Sequence, residues 1–286
     1  MGICYTLKMF FSFTPYALLL FLTTLIAVVL FTITLKKRNE QGGFALLGVL
    51  LSLIVWSFFS GVSAGSSSIT YKIIATKLAY FGIVSLPVNL LLFAMYYTSN
   101  HKFLNPFRIF FLWFIPFLGL FLILTNEQHN LIWTGYTYRS SLFGSTLVYD
   151  RGLGFWGLII YFYSCVLFTI FLITWTAFRF RYIYRKNMTV LMVMIPFSLM
   201  INILYVFELF PGWEGYDPTP FSLIIFTGLL VWSFTKHRFF DLTPIGREVV
   251  LDQMRALLLI LDTKYRVVDF NHPMQAMINQ INGKKP

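Results

Sequence analysis

Four histidines, His101, His129, His237 and His272, and two cysteines, Cys4 and Cys165, are the residues from which a metal centre would have to be built. No two histidines stand at i, i+4 spacing and none pairs in sequence with a cysteine, so no metal site is supported. One cysteine lies near the N-terminus and the other inside an apolar run, a spacing that suggests no disulfide framework. A serine nucleophile elbow, a phosphate-binding glycine loop and a GxGxxG turn are also missing. The sequence therefore predicts a catalytically silent chain with no cofactor.

The remaining polar chemistry gathers near the ends of long apolar runs. Asn126 and His129 follow one run, Trp156 and Tyr161 begin the next, Asn202, Tyr205 and Glu208 end another, and Asp217 and Thr219 precede the last. If the runs bundle, these nine residues converge on an outward-facing pocket of aromatic walls with a few polar points, the usual make-up of a small-molecule site. The competing reading is an interfacial aromatic belt with polar residues capping helix ends. Glu208, Asn202 and Asp217 together weigh toward the pocket, because polar groups at membrane depth are costly.

Composition says what must position them. A chain of 286 residues that is 58% hydrophobic and 12% charged exceeds the apolar content of a soluble domain and reads as an integral membrane protein. Seven runs are long and apolar enough to predict spans: Phe10–Leu35, Gly43–Ser60, Ile73–Thr98, Ile109–Thr125, Phe155–Phe178, Met188–Phe207 and Pro220–Phe234. The first is too long for a signal peptide and lacks a small-x-small cleavage pattern, so it reads as uncleaved. The Ser- and Gly-rich stretch Gly61–Ser68 predicts a flexible connection, and Pro87 a kink near Leu86. Lys77 reads as a snorkelling side chain at the outer end of its span. The loop 126–154 is aromatic and alternates at Ser145–Tyr149, which predicts a hairpin in an ordered cap.

Orientation follows from charge. Lys36, Lys37, Arg38, Lys102, Arg108, Arg179, Arg181, Arg185, Lys186, Lys236 and Arg238 fall on one side, against Lys8, Lys72, Arg139 and Arg151 on the other. The positive-inside rule then puts the N-terminus outside and the C-terminus in the cytoplasm. The same clustering accounts for the net charge of +11 without a nucleic-acid-binding face.

After the seventh run the pattern turns soluble. Residues 236–255 read as a signalling linker in which Thr243 and Pro244 open a short amphipathic helix bearing Val249 and Val250. Such a helix is marginal alone and predicts a homodimer with this face at the interface. Ala256–Asp262 and Arg266–Phe270 read as paired strands, Thr263–Tyr265 as their turn, and Asn271 as the cap of a helix with Pro273 in its first turn.

Asp217-Pro218-Thr219-Pro220 before the last run, Phe239-Phe240-Asp241-Leu242-Thr243-Pro244-Ile245-Gly246-Arg247 after it, and Leu261-Asp262 with Asp269-Phe270-Asn271 make the chain resemble a known family. So does Leu124-Thr125-Asn126-Glu127-Gln128-His129. It resembles the seven-helix input region of bacterial and archaeal sensor histidine kinases and diguanylate cyclases, which leads into a PAS domain. The expected fold is an all-α membrane protein: a seven-transmembrane helix bundle over 1–235, N-terminus outside, a linker over 236–255, and the beginning of a cytoplasmic α+β PAS-like domain over 256–286, too short for a whole one.

The expected function is a sensor in the plasma membrane that receives a small-molecule or membrane-borne signal and passes it through Asp241, Pro244, Arg247, Val249 and Val250 to a cytoplasmic output. Its expected partners are membrane lipid and a second copy, with no nucleic acid. A retinal protein is excluded because the last run carries no mid-membrane lysine. A small-solute transporter or channel, with Pro87, Pro116 and Pro196 breaking helices around a pathway, is the alternative.

Overall fold

The computed structural model describes residues 11–40, 42–98, 100–141, 144–179, 185–209, 212–213, 215–236, 256–261 and 267–281, and the chain divides into two units, Met1–Phe239 and Phe240–Pro286. The first unit is built on α1 Pro15–Leu35, α2 Gly43–Gly65, α3 Ile69–Tyr97, α4 Pro106–Leu124, α5 Leu153–Arg179, α6 Arg185–Val206 and α7 Thr219–Lys236. A helical turn, Asn126–His129, and a two-stranded hairpin, β1 Trp133–Ser141 with β2 Gly144–Arg151, stand between α4 and α5. Local chemistry sets several starts. Thr14 caps α1 by accepting the Ala17 amide at 3.2 Å, with Pro15 first in the helix. Asn105 repeats this for α4, accepting from the Arg108 amide at 2.8 Å ahead of Pro106.

α1 packs on α2, α2 on α3, α3 on α5, α5 on α6, α6 on α7, and α7 back on α1, so six helices close a ring. α4 lies outside it against α3 and α5, and its Phe110, Phe114, Phe117 and Phe121 are exposed. Among the described residues α1 to α5 are each long and apolar enough to cross a membrane, and α6 and α7 are apolar over the shorter stretches Leu191–Val206 and Thr219–Trp232.

The tightest seam joins α2 and α3. A Cβ on Gly82 would sit 2.3 Å from the Ser52 carbonyl oxygen and 2.6 Å from the Trp56 nitrogen, so the backbones approach at a distance only glycine allows. Polar side chains then tie the seam. Asn89 donates to the Gly48 carbonyl at 3.1 Å and to the Ser52 hydroxyl at 3.0 Å, and Ser52 meets the Ser85 hydroxyl at 2.9 Å.

The structure changes two expectations, at Gly61–Gly65 and at Lys77. Gly61–Gly65 is the end of α2, leaving Ser66–Ser68 as the connection. Lys72 explains why the helix holds: it is 0% exposed, and its Nζ donates to the carbonyls of Ser63 (2.9 Å) and Ala64 (3.4 Å) in the last turn of α2. α3 is continuous through Pro87, which leaves the kink expected near Leu86 open, and Asn89 is turned onto α2. Lys77 does not snorkel to headgroups; it pairs with Glu127 at 2.6 Å and donates to the Leu124 carbonyl. Glu208 lies past the end of α6 in a left-handed turn, φ 56°.

The hairpin is held at both ends. At its base, Asn126 accepts from the Ile132 and Trp133 amides (3.0 and 3.1 Å) and donates to the Trp133 carbonyl (2.9 Å). Near its turn, Lys72 donates to the Ser145 carbonyl at 2.7 Å, Thr146 to the Gly215 carbonyl at 2.9 Å, and the Tyr216 hydroxyl to the Gly144 carbonyl at 2.6 Å. Gly215, at φ 84°, has no room for a Cβ, which would meet Thr146 Cγ2 at 2.6 Å.

In the second unit β3 Leu259–Leu261 pairs antiparallel with β4 Val267–Phe270, and α8 His272–Ile281 follows. Asn271 caps α8 by accepting from the Met274 amide at 3.2 Å; it also accepts from the Leu258 amide and donates to the Ala256 carbonyl. The linker positions Asp241, Pro244, Arg247, Val249 and Val250, and the turn Thr263–Tyr265, lie outside the described residues.

Candidate functional site

The ring of helices surrounds a cavity of about 220 Å³ whose walls come from all six helices and, on one side, from β2. Aromatic rings dominate the wall, among them Tyr16 of α1, Trp56 of α2, Tyr80 of α3 and Phe226 of α7. The hairpin contributes Thr146, Leu147 and Tyr149. Trp133 anchors that side, its ring 4.6 Å from Tyr149 and 5.4 Å from Tyr80, centroid to centroid. Burial pushes the Tyr149 phenol up to about 12, so it stays neutral at physiological pH.

A chain of hydrogen bonds crosses three helices at the hairpin end of the bundle. Tyr163 of α5 donates to Asn202 Oδ1 at 2.9 Å, Asn202 Nδ2 of α6 donates to Thr219 Oγ1 at 3.1 Å, and the Thr219 amide donates to Asp217 Oδ1 at 2.9 Å. Tyr16 of α1 donates to the Asp217 carbonyl at 3.1 Å. The polar set thus belongs to one network that fixes α5, α6 and the start of α7 together.

Asp217 is half-buried by surface exposure, yet burial pushes its carboxyl up to about 6, because the aromatic packing around it lowers the local dielectric. The Thr219 bonds and the Arg151 guanidinium pull the other way. Arg151 itself is engaged elsewhere: it donates to the Val206 carbonyl, pairs with Glu208 at 3.4 Å, and sits 5.4 Å above the Phe155 ring. Glu127, held below the ordinary carboxyl range by its hydrogen bond from Lys77, stands on the exposed rim.

Of the nine residues singled out in the sequence, Asn202, Tyr205, Asp217 and Thr219 line the cavity. Five do not. Asn126 is spent on the base of the hairpin. His129 Nδ1 accepts from the Leu131 amide and Nε2 meets the Thr125 hydroxyl at 3.2 Å. Trp156 packs on Phe155 and Phe207, Tyr161 donates to the Leu112 carbonyl of α4, and Glu208 pairs with Arg151. For Asn126, His129, Tyr161 and Glu208 another partner uses the polar atom before it reaches the cavity, and Trp156 is held by ring packing.

Sequence reasoning overlooked Tyr16, Trp56, Tyr80, Tyr163 and Ser198. A signal existed for some of them: Ser198 stands four residues from Asn202 and Thr76 four from Tyr80, one face of a helix each. Among the described residues no group of histidine, cysteine, aspartate and glutamate stands close enough to hold a metal, and Cys165 is a buried free thiol.

The first unit is thus a bundle of apolar helices, five of them long enough to cross a membrane, with a cavity beneath a two-stranded hairpin. The chain matches the N-terminal 7TM region of histidine kinase over residues 19–244 and belongs to that family, a sensory region rather than a catalytic domain. No curated protein matches it.

Proposed function

We propose that the chain is the sensory input module of a signal-transduction protein in the plasma membrane, crossing it seven times with the N-terminus outside and the C-terminus in the cytoplasm. Occupancy of the cavity by a small molecule sets the packing of α6 and α7, and that packing reaches an output of the histidine kinase or diguanylate cyclase type through residues 236–255 and a PAS-like start over 256–286. The observation that carries the reading is the cavity itself, whose polar network joins three helices of the ring directly under the hairpin. The excess of lysine and arginine at one set of helix ends supports the orientation. The linker helix acts as a homodimer contact, and Val249→Asp with Val250→Asp uncouples output without preventing insertion.

Two measurements test this. Single cysteines at Gly135 and Asn187 are to be labelled from opposite faces of intact cells, Gly135 from outside; labelling of both from one face overturns the topology. Ala79, 2% exposed on the cavity wall, is replaced by leucine in the full-length protein. Its basal output should shift by several-fold, while Phe117→Leu on the exposed face of α4 leaves output unchanged. Equal output from Ala79→Leu and wild type refutes the cavity as the sensing site.

A further inference from the structure

The charges on the cavity wall are one-sided. Among its described lining residues Asp217 alone carries a formal charge, and no lysine, arginine or histidine joins it. Asp217 makes no ion pair: the described pairs are Lys37 with Glu40, Lys77 with Glu127 and Arg151 with Glu208. Around this carboxylate the wall presents nine aromatic rings, including Tyr16, Trp56, Tyr80, Tyr163, Tyr205 and Phe226. A carboxylate set among aromatic faces is the composition that selects an organic cation, through an ion pair at one point and ring quadrupoles over the rest. An anionic ligand would meet the carboxylate with no positive charge on the wall itself, since Arg151 is engaged by Glu208 and the Phe155 ring, and a purely apolar one would leave the carboxylate with the Thr219 bonds alone.

The deeper end adds an independent observation. Ser198 lines the cavity, is 5% exposed, and its hydroxyl has no hydrogen-bond partner. Helix serines ordinarily return their hydroxyl to a carbonyl one turn earlier, as Ser52, Ser57 and Ser164 do here. An unpartnered buried hydroxyl costs about 1–3 kcal/mol, which a ligand group would relieve. Ser198 stands one turn, about 6 Å along the α6 axis, below Asn202, which is tied through Thr219 to Asp217.

Resting on the sensory reading above, we infer that the cavity binds a small monocationic organic amine, its ammonium at Asp217, its apolar body against the rings, and a hydrogen-bonding group at its far end on Ser198. Three probes separate the parts of this statement: tyramine, which has an ammonium and a phenol; tyrosol, its neutral alcohol counterpart; and phenethylamine, which lacks the phenol. Binding is measured by isothermal titration to the whole chain in nanodiscs at pH 7.5. Tyramine should bind at least tenfold more tightly than tyrosol, and Asp217→Asn should remove that difference. Asparagine keeps the Oδ1 that accepts the Thr219 amide, so the start of α7 is preserved; a melting temperature in the variant no lower than that of the wild type checks this. Ser198→Ala should weaken tyramine several-fold and leave phenethylamine as it was.

Tyrosol binding as tightly as tyramine, with Ala79→Leu abolishing both, overturns the amine inference while the cavity reading stands. Failure of all three probes to bind at millimolar concentration overturns the inference too, and the output assay on Ala79→Leu then decides the cavity reading by itself. Equal loss of tyramine and phenethylamine in Ser198→Ala overturns the assignment of the deep end.

Discussion

Replacing Lys72 with methionine tests whether one buried ammonium holds the β1–β2 hairpin to the bundle. Its two short bonds, 2.9 Å to Ser63 and 2.7 Å to Ser145, are charge-assisted and worth about 1.5–3 kcal/mol each, while the 3.4 Å contact to Ala64 adds little. Against them stands the desolvation of a fully buried cation, several kcal/mol in effective terms. Methionine keeps the volume of the stem and abolishes both terms, but strips the ammonium from the last-turn carbonyls of α2, which then lack their capping cation. The net loss is about 2–4 kcal/mol, or about 5–15 °C in melting temperature for a chain of this size. Lys77→Met, five residues along the same helix, removes the pair with Glu127, whose side chain is 64% exposed. That pair is worth less than about 1 kcal/mol. Intrinsic tryptophan fluorescence of the two variants in nanodiscs gives the melting temperatures, and hydrogen exchange over 144–151 should rise in Lys72→Met alone. A shift for Lys77→Met as large as that for Lys72→Met, or unchanged exchange in the hairpin, refutes the reasoning.

Gly82→Ala forces a methyl against the Ser52 carbonyl at 2.3 Å and should cost at least the upper part of the roughly 1–3 kcal/mol of overpacking; Gly157→Ala, with nothing within 4 Å, should be neutral or slightly stabilising, and thermal melts of the pair check both. Tyr163→Phe removes the donor to Asn202 Oδ1 and should cost about 1 kcal/mol, visible in the same melts. The folded carboxyl of Asp217 lies at about 6 against an ordinary 3.8, so the stability it contributes is complete below about pH 4 and lost as pH rises through 6. Tyr16, Tyr205 and Arg151 face it from α1, α6 and β2. Between pH 4 and 7.5 the wild type should lose up to about 3 kcal/mol relative to Asp217→Asn, less whatever solvent screening removes; a pH-independent difference between the two would sink this.

The apolar runs made the helices legible, since span length and hydropathy are properties of single segments. Predicted and observed bounds differ mostly at the ends, where tertiary partners decide: α2 continues through Gly61–Gly65 because Lys72 satisfies its last carbonyls, a contact invisible from the Ser- and Gly-rich composition. The hairpin and the strand pair of the second unit were readable from alternation, and the cap of α8 from Asn271. The site was half legible. Asn202, Tyr205, Asp217 and Thr219 reach the cavity because they lie on the ring helices or at their starts. Asn126, Tyr161 and Glu208 do not, because a sequence shows that a group is polar at membrane depth but not that Trp133, Leu112 or Arg151 already uses it. Tyr16 and Trp56 were hidden for the opposite reason: inside apolar runs rich in phenylalanine, an aromatic that faces a cavity looks like one that faces lipid.

The two sides of the ring are built differently, and this bears on how occupancy of the cavity would be felt. The seam of α2 with α3 has glycine-limited backbone contact and a network through Gly48, Ser52, Ser85 and Asn89, so moving it means breaking several bonds at once. Across the cavity α6 and α7 meet with the Asn202 to Thr219 bond as a polar link, and both of those side chains line the cavity. A ligand competing for either atom acts on the link itself. Thr219, Leu223 and Phe226 all line the cavity and fall at i, i+4 and i+7 on α7, so the ligand bears on one stripe along the outer half of that helix. α7 is 18 residues long, about 27 Å at helical rise, and a helix of that length moves as a rod rather than flexing within a turn. A displacement imposed at Thr219 would therefore appear at Lys236, where the helix ends. On the sensory reading proposed above, the α2–α3 seam would stay fixed while α7, whose polar tie to α6 lies in the cavity, would carry the change toward residue 236.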